Sequence, residues 1–520
     1  MANLTLDQIA GWKITLRKTE TAVSRFAAAE LERALAGTRS KMEDKPIEKG
    51  DGSISLGYEN KNDDGFRIEI NPNRIGIIGH NERGLLYGVY ALLEKLGFWR
   101  ADLKQPHLHP LSSSTSMIAC GIMEQTPAFR GRCLILGHHA FLEQGEDWID
   151  WAAANSFNTI FFHVSTESLT IGAAPEAQYQ QKKEALIYSA RQRGMIIEHG
   201  GHLLSKMLPR HLFRQHPEYF RMKKGRRTPD HNFCLSNPQA LDIVCQQAAT
   251  HFRNHPEVDV FHLWGDDLAG GGWCECPSCR QYSPSEQLLL ATNALADVLA
   301  EINPQAQISF LAYHDTESVP VNVTPRANVC LLWAPRMRCY GHSLGDKACP
   351  VNYPYYVETF QAQAAYFQKA GASPPRVFEY YGDAILFKSV LPPLMEVMQG
   401  DLQQYRQAGA DTVQVLLTGD APFLSPQINL WCFGRLAWDP SQDLYRLVKN
   451  FGKAVFETDL SGYYSSLQAA YQPLLEISLQ EIHLNLEDSL LGAIKEPPVD
   501  MGDPVKAPPD ILEQKVRSAA

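Results

Sequence analysis

The chain has 520 residues, with 48 Lys plus Arg against 58 Asp plus Glu, a formal net charge of −10. That balance, without a long basic run, argues against nucleic acid as a partner. A composition of 44 % hydrophobic and 20 % charged residues excludes a disordered or fibrous chain and leaves about three domains, or one large barrel with additions at its ends.

The opening, Met1-Ala-Asn-Leu-Thr-Leu-Asp-Gln-Ile, has neither the basic nor the apolar stretch of an export signal, so the expected location is the cytoplasm. No apolar run reaches the roughly 18–20 residues that span a bilayer, and no membrane partner is expected. In a reducing cell the 11 cysteines read as free thiols or metal ligands. Assembly as a homo-oligomer is left open. Over residues 21–35, Val23, Phe26, Ala27, Leu31 and Leu35 fall at helical spacing. Residues 53–57, 66–70 and 74–78 alternate or run apolar between Gly, Asn and Pro, as strands do. A helix over 84–97 ends on glycine, and 101–116, with Pro106, Pro110 and a run of Ser and Thr, reads as a linker. Residues 1–125 are therefore expected to form a small α/β accessory domain.

From about residue 126, apolar β-prone runs recur at 129–136, 158–164, 195–198, 258–264, 308–313, 329–333, 377–381 and 413–417, with helical patterns such as 288–302 and 357–370 between them. Near-continuous apolar strands alternating with helices imply a parallel sheet covered on its outer face. Eight such units make a (β/α)8 TIM barrel, assigned to 126–437. A doubly wound sheet is the alternative, but its ligands use one crevice. Here His138, His199, Asp266, His314, Trp333, Tyr381 and Asp420 stand at the ends of many strands. Beyond 438 the pattern turns helical, over 444–456 and 462–484, and 496–509 is Pro-rich. Residues 438–520 are the expected C-terminal helical region.

The fourth strand closes on Val258-Asp-Val-Phe-His-Leu-Trp-Gly-Asp-Asp267, two adjacent aspartates. Neighbouring carboxylates cannot both ionise cheaply, so one should be raised toward the range of a working acid. Such a pair suits hydrolysis of a glycoside, although Asp-Asp after a strand also caps loops and helices. Tyr313 closes the fifth strand, with Tyr381 as its alternate on the seventh. Trp264, Trp333 and Trp431 are candidate walls of a sugar pocket. Arg130 is a candidate fork for vicinal hydroxyls. Histidines gather at strand ends: His138, His139, His163, His199, His202, His262 and His314. Glu198-His-Gly-Gly-His202 superficially resembles a metal site, but two glycines disfavour the helix that aligns such ligands, and hydrogen bonding is the preferred reading. Glu379 and Asp383 are the candidate second carboxylates. Cys274-x-Cys276-x-x-Cys279 supplies most of a tetrahedral structural zinc site, with Cys234, His342 or Cys349 as the fourth ligand. Unliganded thiols or a loop-pinning disulfide are the alternatives. No cofactor is expected for the catalysis itself.

Three stretches carry a family resemblance. Gly84-Leu-Leu-Tyr-Gly-Val-Tyr90 with Leu92-Leu-Glu-Lys-Leu-Gly-Phe-Trp99 resembles the accessory-domain helix that precedes β-N-acetylhexosaminidase and α-glucuronidase barrels. Phe129-Arg-Gly-Arg132 resembles the opening barrel strand of family-20 hexosaminidases, in which an arginine grips the terminal sugar. His216-Pro-Glu-Tyr-Phe220, Cys234-Leu-Ser-Asn-Pro238 and Gly272-Trp-Cys-Glu-Cys-Pro-Ser-Cys279 are similar to bacterial glycosidase-like proteins of domain of unknown function 4838. Family-20 and family-84 enzymes place adjacent acidic residues at the end of this strand. The resemblance implies an exo-acting β-N-acetylhexosaminidase, for β-GlcNAc or β-GalNAc, working by substrate-assisted retention on a carbohydrate substrate. In that scheme Asp266 orients the acetamido group, Asp267 is the general acid/base and Tyr313 faces the acetamido carbonyl. An Asp in the acid's place is nearer the family-84 arrangement than the family-20 one. The alternatives are an α-glucuronidase-like enzyme using Asp267 with Glu379, an endo-β-N-acetylglucosaminidase, and a catalytically silent sugar-binding protein.

Overall fold

The structure is a computed structural model and describes residues 3–17, 20–40, 52–103, 109–110, 117–165, 174–268, 270, 272–387, 392–418 and 424–475. Asp420, the end of the helix expected over 462–484 and the Pro-rich stretch lie outside the described residues.

Eight apolar runs form eight parallel strands: β1 (Gly131–Leu136), β2 (Thr159–Ser165), β3 (Ile196–Gly201), β4 (Val260–Leu263), β5 (Gln307–Ala312), β6 (Val329–Trp333), β7 (Arg376–Asp383) and β8 (Thr412–Thr418). Each pairs with its sequence neighbour, and β8 pairs back onto β1 from Gly131↔Thr412 to Leu136↔Leu417, which closes the barrel. Strands β1, β2, β4, β6 and β8 are buried at every position, as a sheet needs when side chains fill one face and helices cover the other. The fold is an α/β (β/α)8 TIM barrel. The covering helices start where the sequence supplies caps. Ser283 and Glu286 form a capping box on the helix Pro284–Ile302, and Asn237 caps Pro238–Asn254 with proline in its first turn.

Ahead of the barrel, Lys13–Leu16, Ser53–Tyr58, Arg74–Gly79, Phe66–Asn71 and Gly121–Gln125 lie side by side, in that order, in a five-stranded sheet. The helices Ala22–Ser40 and Glu82–Lys95 pack on it and on each other. This unit is joined to the barrel by a buried polar knot. Asp64 accepts hydrogen bonds from Arg132 at 2.9 Å, Arg83 at 2.9 Å and Asn158 at 2.7 Å, while the Tyr87 hydroxyl donates to the Phe157 carbonyl at 2.8 Å. The Arg132 guanidinium also lies 5.0 Å from the Trp438 ring and 5.4 Å from Tyr87. Its two cationic neighbours hold the Asp64 carboxyl far below the carboxylate range although the group is buried. After β8 come the helices Leu424–Trp438, Leu444–Phe456 and Ser461–Leu475. No helix among the described residues is long and apolar enough to cross a membrane.

Candidate active site

In a barrel the loops after all eight strands open on one face. At that face His163, His202, Trp264, Asp267, Leu311, Tyr313, Arg336, Phe378, Tyr380, Asp383, Ile385, Leu416 and Thr418 line a cavity of about 60 Å³. Strand parity decides who reaches it, since alternate side chains point to opposite faces. On β5 and its end, Leu311 and Tyr313 face in, while Phe310 packs on Phe367 of the helix layer. On β7, Phe378 and Tyr380 face in. A β-bulge between Glu379 and Gly382 then shifts the register by one, which turns odd-numbered Asp383 inward as well. The bulge needs glycine, because a Cβ on Gly382 would stand 2.7 Å from the Leu416 carbonyl oxygen.

The two adjacent aspartates diverge. Asp266 accepts from the Ser205 hydroxyl at 2.5 Å on Oδ1, and its Oδ2 lies 2.9 Å from His231 Nδ1. Asp267 enters the cavity, interacts with the Tyr313 hydroxyl, and leaves a buried Oδ1 without a hydrogen-bond partner among the described residues. Crowding was expected to raise one of the two. Instead both carboxyls sit below the ordinary value of 3.8. Burial pushes Asp267 up, but His202, Arg336 and His314 with the Tyr313 hydroxyl outweigh it. Asp266 is likewise raised by burial and lowered further by His231 and Ser205. Each answers to its own hydrogen-bonding and charged neighbours, because the side chains point apart.

The second carboxylate in the cavity is Asp383. It accepts from Thr418 at 2.6 Å, from Arg336 at 2.9 Å and from the Ile385 backbone at 3.1 Å. Trp264 gives an apolar wall with its indole N–H spent on Ser309 at 2.8 Å. His202 donates through Nδ1 to the Gly265 carbonyl at 2.5 Å, which leaves Nε2 as the ring's other nitrogen. His314 has a left-handed φ of 52° that lays its ring on Tyr313, with centroids 3.8 Å apart. Burial lowers its pKa to about 4.

Several expected site residues lie elsewhere. His199 faces outward beneath the helices, 3.1 Å from Glu176 and stacked on His255, because its neighbour Glu198 takes the inward position. Glu198 in turn bonds Arg376 at 2.6 Å, Gln414 at 2.8 Å and His262 at 3.0 Å inside the barrel. Glu379 points into the helix layer, against Arg338 and the Tyr405 hydroxyl; burial raises its pKa to about 7. Tyr381 points the same way and donates to Asp401 at 2.7 Å, so the inward tyrosine of β7 is Tyr380. Trp333 packs on Phe360 and Tyr356, also outside the barrel. Trp431 sits in the helical layer under the Arg435 guanidinium at 3.7 Å. Arg130 is exposed just before β1, at the end of the barrel opposite the cavity. The side chain of His138, the first residue of the helix His138–Ala154, lies outside the described residues. Arg336, Phe378, Tyr380, Thr418, His231 and Ser205 are site residues that sequence reading missed. Period-2 counting from Phe378 would have selected Tyr380 over Tyr381.

The family model described as "Domain of unknown function (DUF4838)" matches residues 127–466. The chain belongs to the DUF4838 family. Among curated proteins none matches it. Solved structures similar to this DUF4838 chain are glycoside hydrolases of several families. A GH138 enzyme targeting pectin rhamnogalacturonan II has a TM-score of 0.59 at 12 % identity, over 91 % of this chain and 56 % of that one. The chain thus spans little more than half the length of that enzyme. The chitobiase FjGH20 of Flavobacterium johnsoniae has a TM-score of 0.58 at 14 % identity, over 94 % and 73 %. The GH115 4-O-methyl-α-glucuronidase BtGH115A has 0.55 at 13 %, over 100 % and 69 %. At such identities the likeness is one of fold.

Proposed function

We propose that this DUF4838 chain is a glycoside hydrolase that releases a terminal β-linked 2-acetamido sugar, GlcNAc or GalNAc, by substrate-assisted retention. The observation that carries the reading is half-buried Asp267, its carboxylate held ionised in the cavity with a buried Oδ1 that lacks a donor among the described residues. A 2-acetamido sugar brings the missing donor, its amide N–H. With the amide so fixed, its carbonyl oxygen attacks the anomeric carbon while the leaving oxygen takes a proton, and water then opens the oxazolinium formed. An ionised Asp267 stabilises the positive charge on that intermediate. The division of labour therefore changes from the one the family resemblance implies. Asp267 faces the acetamido group, Tyr313 steadies Asp267, and the proton for the leaving oxygen is left to the imidazole of His231, which the ionised Asp266 holds at 2.9 Å. The sequence of steps uses no cofactor.

A second reading, an enzyme for a uronic acid, is favoured by one observation. Half-buried Arg336, paired through one terminal nitrogen with Asp383 at 2.9 Å, has a buried Nε without a partner among the described residues, in a cavity that His163 and His202 also line, a setting suited to a sugar carboxylate. One experiment separates the two: hydrolysis of nitrophenyl β-GlcNAc, β-GalNAc and α-glucuronide, with and without a thiazoline analogue of the 2-acetamido sugar. Cleavage of a 2-acetamido substrate with competitive inhibition by the thiazoline is expected. Cleavage of the glucuronide alone, or hydrolysis indifferent to the thiazoline, would overturn the first reading.

A further inference from the structure

The four cysteines Cys234, Cys274, Cys276 and Cys279 come from two loops far apart in sequence, yet their sulfurs all lie within 4.8 Å of one another. Cys234 Sγ is 3.7 Å from Cys276 and 3.9 Å from Cys279. Four Zn–S bonds of about 2.3 Å in a tetrahedron put neighbouring sulfurs about 3.8 Å apart, whereas a disulfide requires about 2.05 Å. All four thiols are free and buried. We propose that these four cysteines together bind one structural Zn²⁺ through their sulfurs.

The surroundings of Cys274 fit a thiolate better than a thiol. The Met222 backbone N–H donates to Cys274 Sγ at 3.3 Å, and the Arg227 guanidinium lies 3.7 Å from the same sulfur. The Ser236 hydroxyl stands 3.4 Å from Cys276 and accepts from the Cys279 thiol at 3.3 Å. Donors and a cation around the sulfurs are the outer shell that a doubly negative zinc tetrathiolate needs. The packing points the same way. These sulfurs form a cluster of their own, apart from the main core, with Met222 and Leu235 packed on it among the described residues. The loops around them hold single-turn 3-10 helices and a hairpin of two-residue strands, Met222–Lys223 with Arg226–Arg227. Leu208, Phe220 and Phe233 of these loops reach the main core, while the sulfurs lie apart from it, where a metal would join the loops. The alternative fourth ligands belong elsewhere: His342 and Cys349 form a separate group with Cys339.

The site also has a consequence for the cavity, and this step alone rests on the function proposed above. Cys234 stands three residues after His231 and Cys274 eight residues after Asp266. A zinc joining the two loops keeps His231 on Asp266, at 2.9 Å, and makes the cysteines positioning residues.

Elemental analysis of the full chain, purified without chelators, tests the proposal directly. About one zinc per chain is expected, and reconstitution with Co²⁺ should give the strong thiolate charge-transfer bands of tetrahedral cobalt. Cys276→Ser should lose most of the metal. If that variant fails to fold, wild-type zinc content and the cobalt spectrum still decide. Wild-type protein that carries no zinc and takes up neither ion after reduction would overturn the proposal. So would a disulfide within the set found by mass spectrometry of unreduced protein, and iron in place of zinc would overturn the metal's identity. Metal content does not depend on which sugar is cleaved, so its outcome is separate from that of the glycosidase assay.

Discussion

Tyr313 shows how one hydroxyl can set the state of the site. It is buried against Asp267, and burial together with the nearby carboxylate pushes its own pKa well above the ordinary range, so it acts as a donor and not as a base. Tyr313→Phe removes that donor and keeps the ring. We expect kcat on the cleaved glycoside to fall roughly 10–100-fold, the cost of a hydrogen bond to a charged group, with little change in thermal unfolding. Steady-state kinetics beside a melting curve would check it; an unchanged kcat would remove Tyr313 from the machinery. At this scale the sequence was informative where a motif carried the residue, as with Asp266-Asp267 and the cysteines. It misled at Tyr381 and Glu379. Both stand at the end of a strand, as site residues do, but strand-end position does not state which face a side chain takes.

Face is settled by elements. Plain alternation from Phe378 sends Glu379 and Tyr381 outward, and the β7 bulge between Glu379 and Gly382 then turns Asp383 inward, with nothing in the local sequence but one glycine to mark it. Gly200 in β3 works similarly: its φ is 127° and a Cβ there would meet the His262 carbonyl oxygen at 2.0 Å, so Glu198-His-Gly-Gly-His202 is a close strand contact and not a ligand set. A further test belongs here. Glu317, in the turn after β5, accepts from the Tyr355 hydroxyl at 2.7 Å, and burial raises its pKa to about 7 from 4.5. A raised carboxyl favours folding below its unfolded value and loses that contribution as pH rises through the folded one. The stability of the wild type relative to Glu317→Gln should therefore decline between about pH 4.5 and 7 and then level off. Urea midpoints of both proteins across that range would show it, and a difference independent of pH would contradict it.

At the scale of the whole molecule, the barrel was legible because eight apolar runs alternate with helical patterns, and a parallel sheet buried on both faces leaves that record. The junction with the N-terminal unit was not legible, since Asp64, Arg83, Arg132 and Asn158 meet only in the fold. Asp64→Ala would leave two guanidinium groups with a lost partner, one of them wholly buried. We expect it to destabilise the chain by about 3–5 kcal/mol, read as a lower denaturant midpoint; an unchanged midpoint would show the knot to be neutral. On the proposed reading, the ionised carboxylate of Asp267 holds the acetamido group and stabilises the oxazolinium at the mouth of this barrel. The most direct test of that role is kcat/KM for Asp267→Asn on whichever nitrophenyl glycoside the wild type cleaves, with melting curves to confirm the fold. A loss of about 10²–10⁴-fold with unfolding unchanged is the expected result; hydrolysis at the wild-type rate would contradict it.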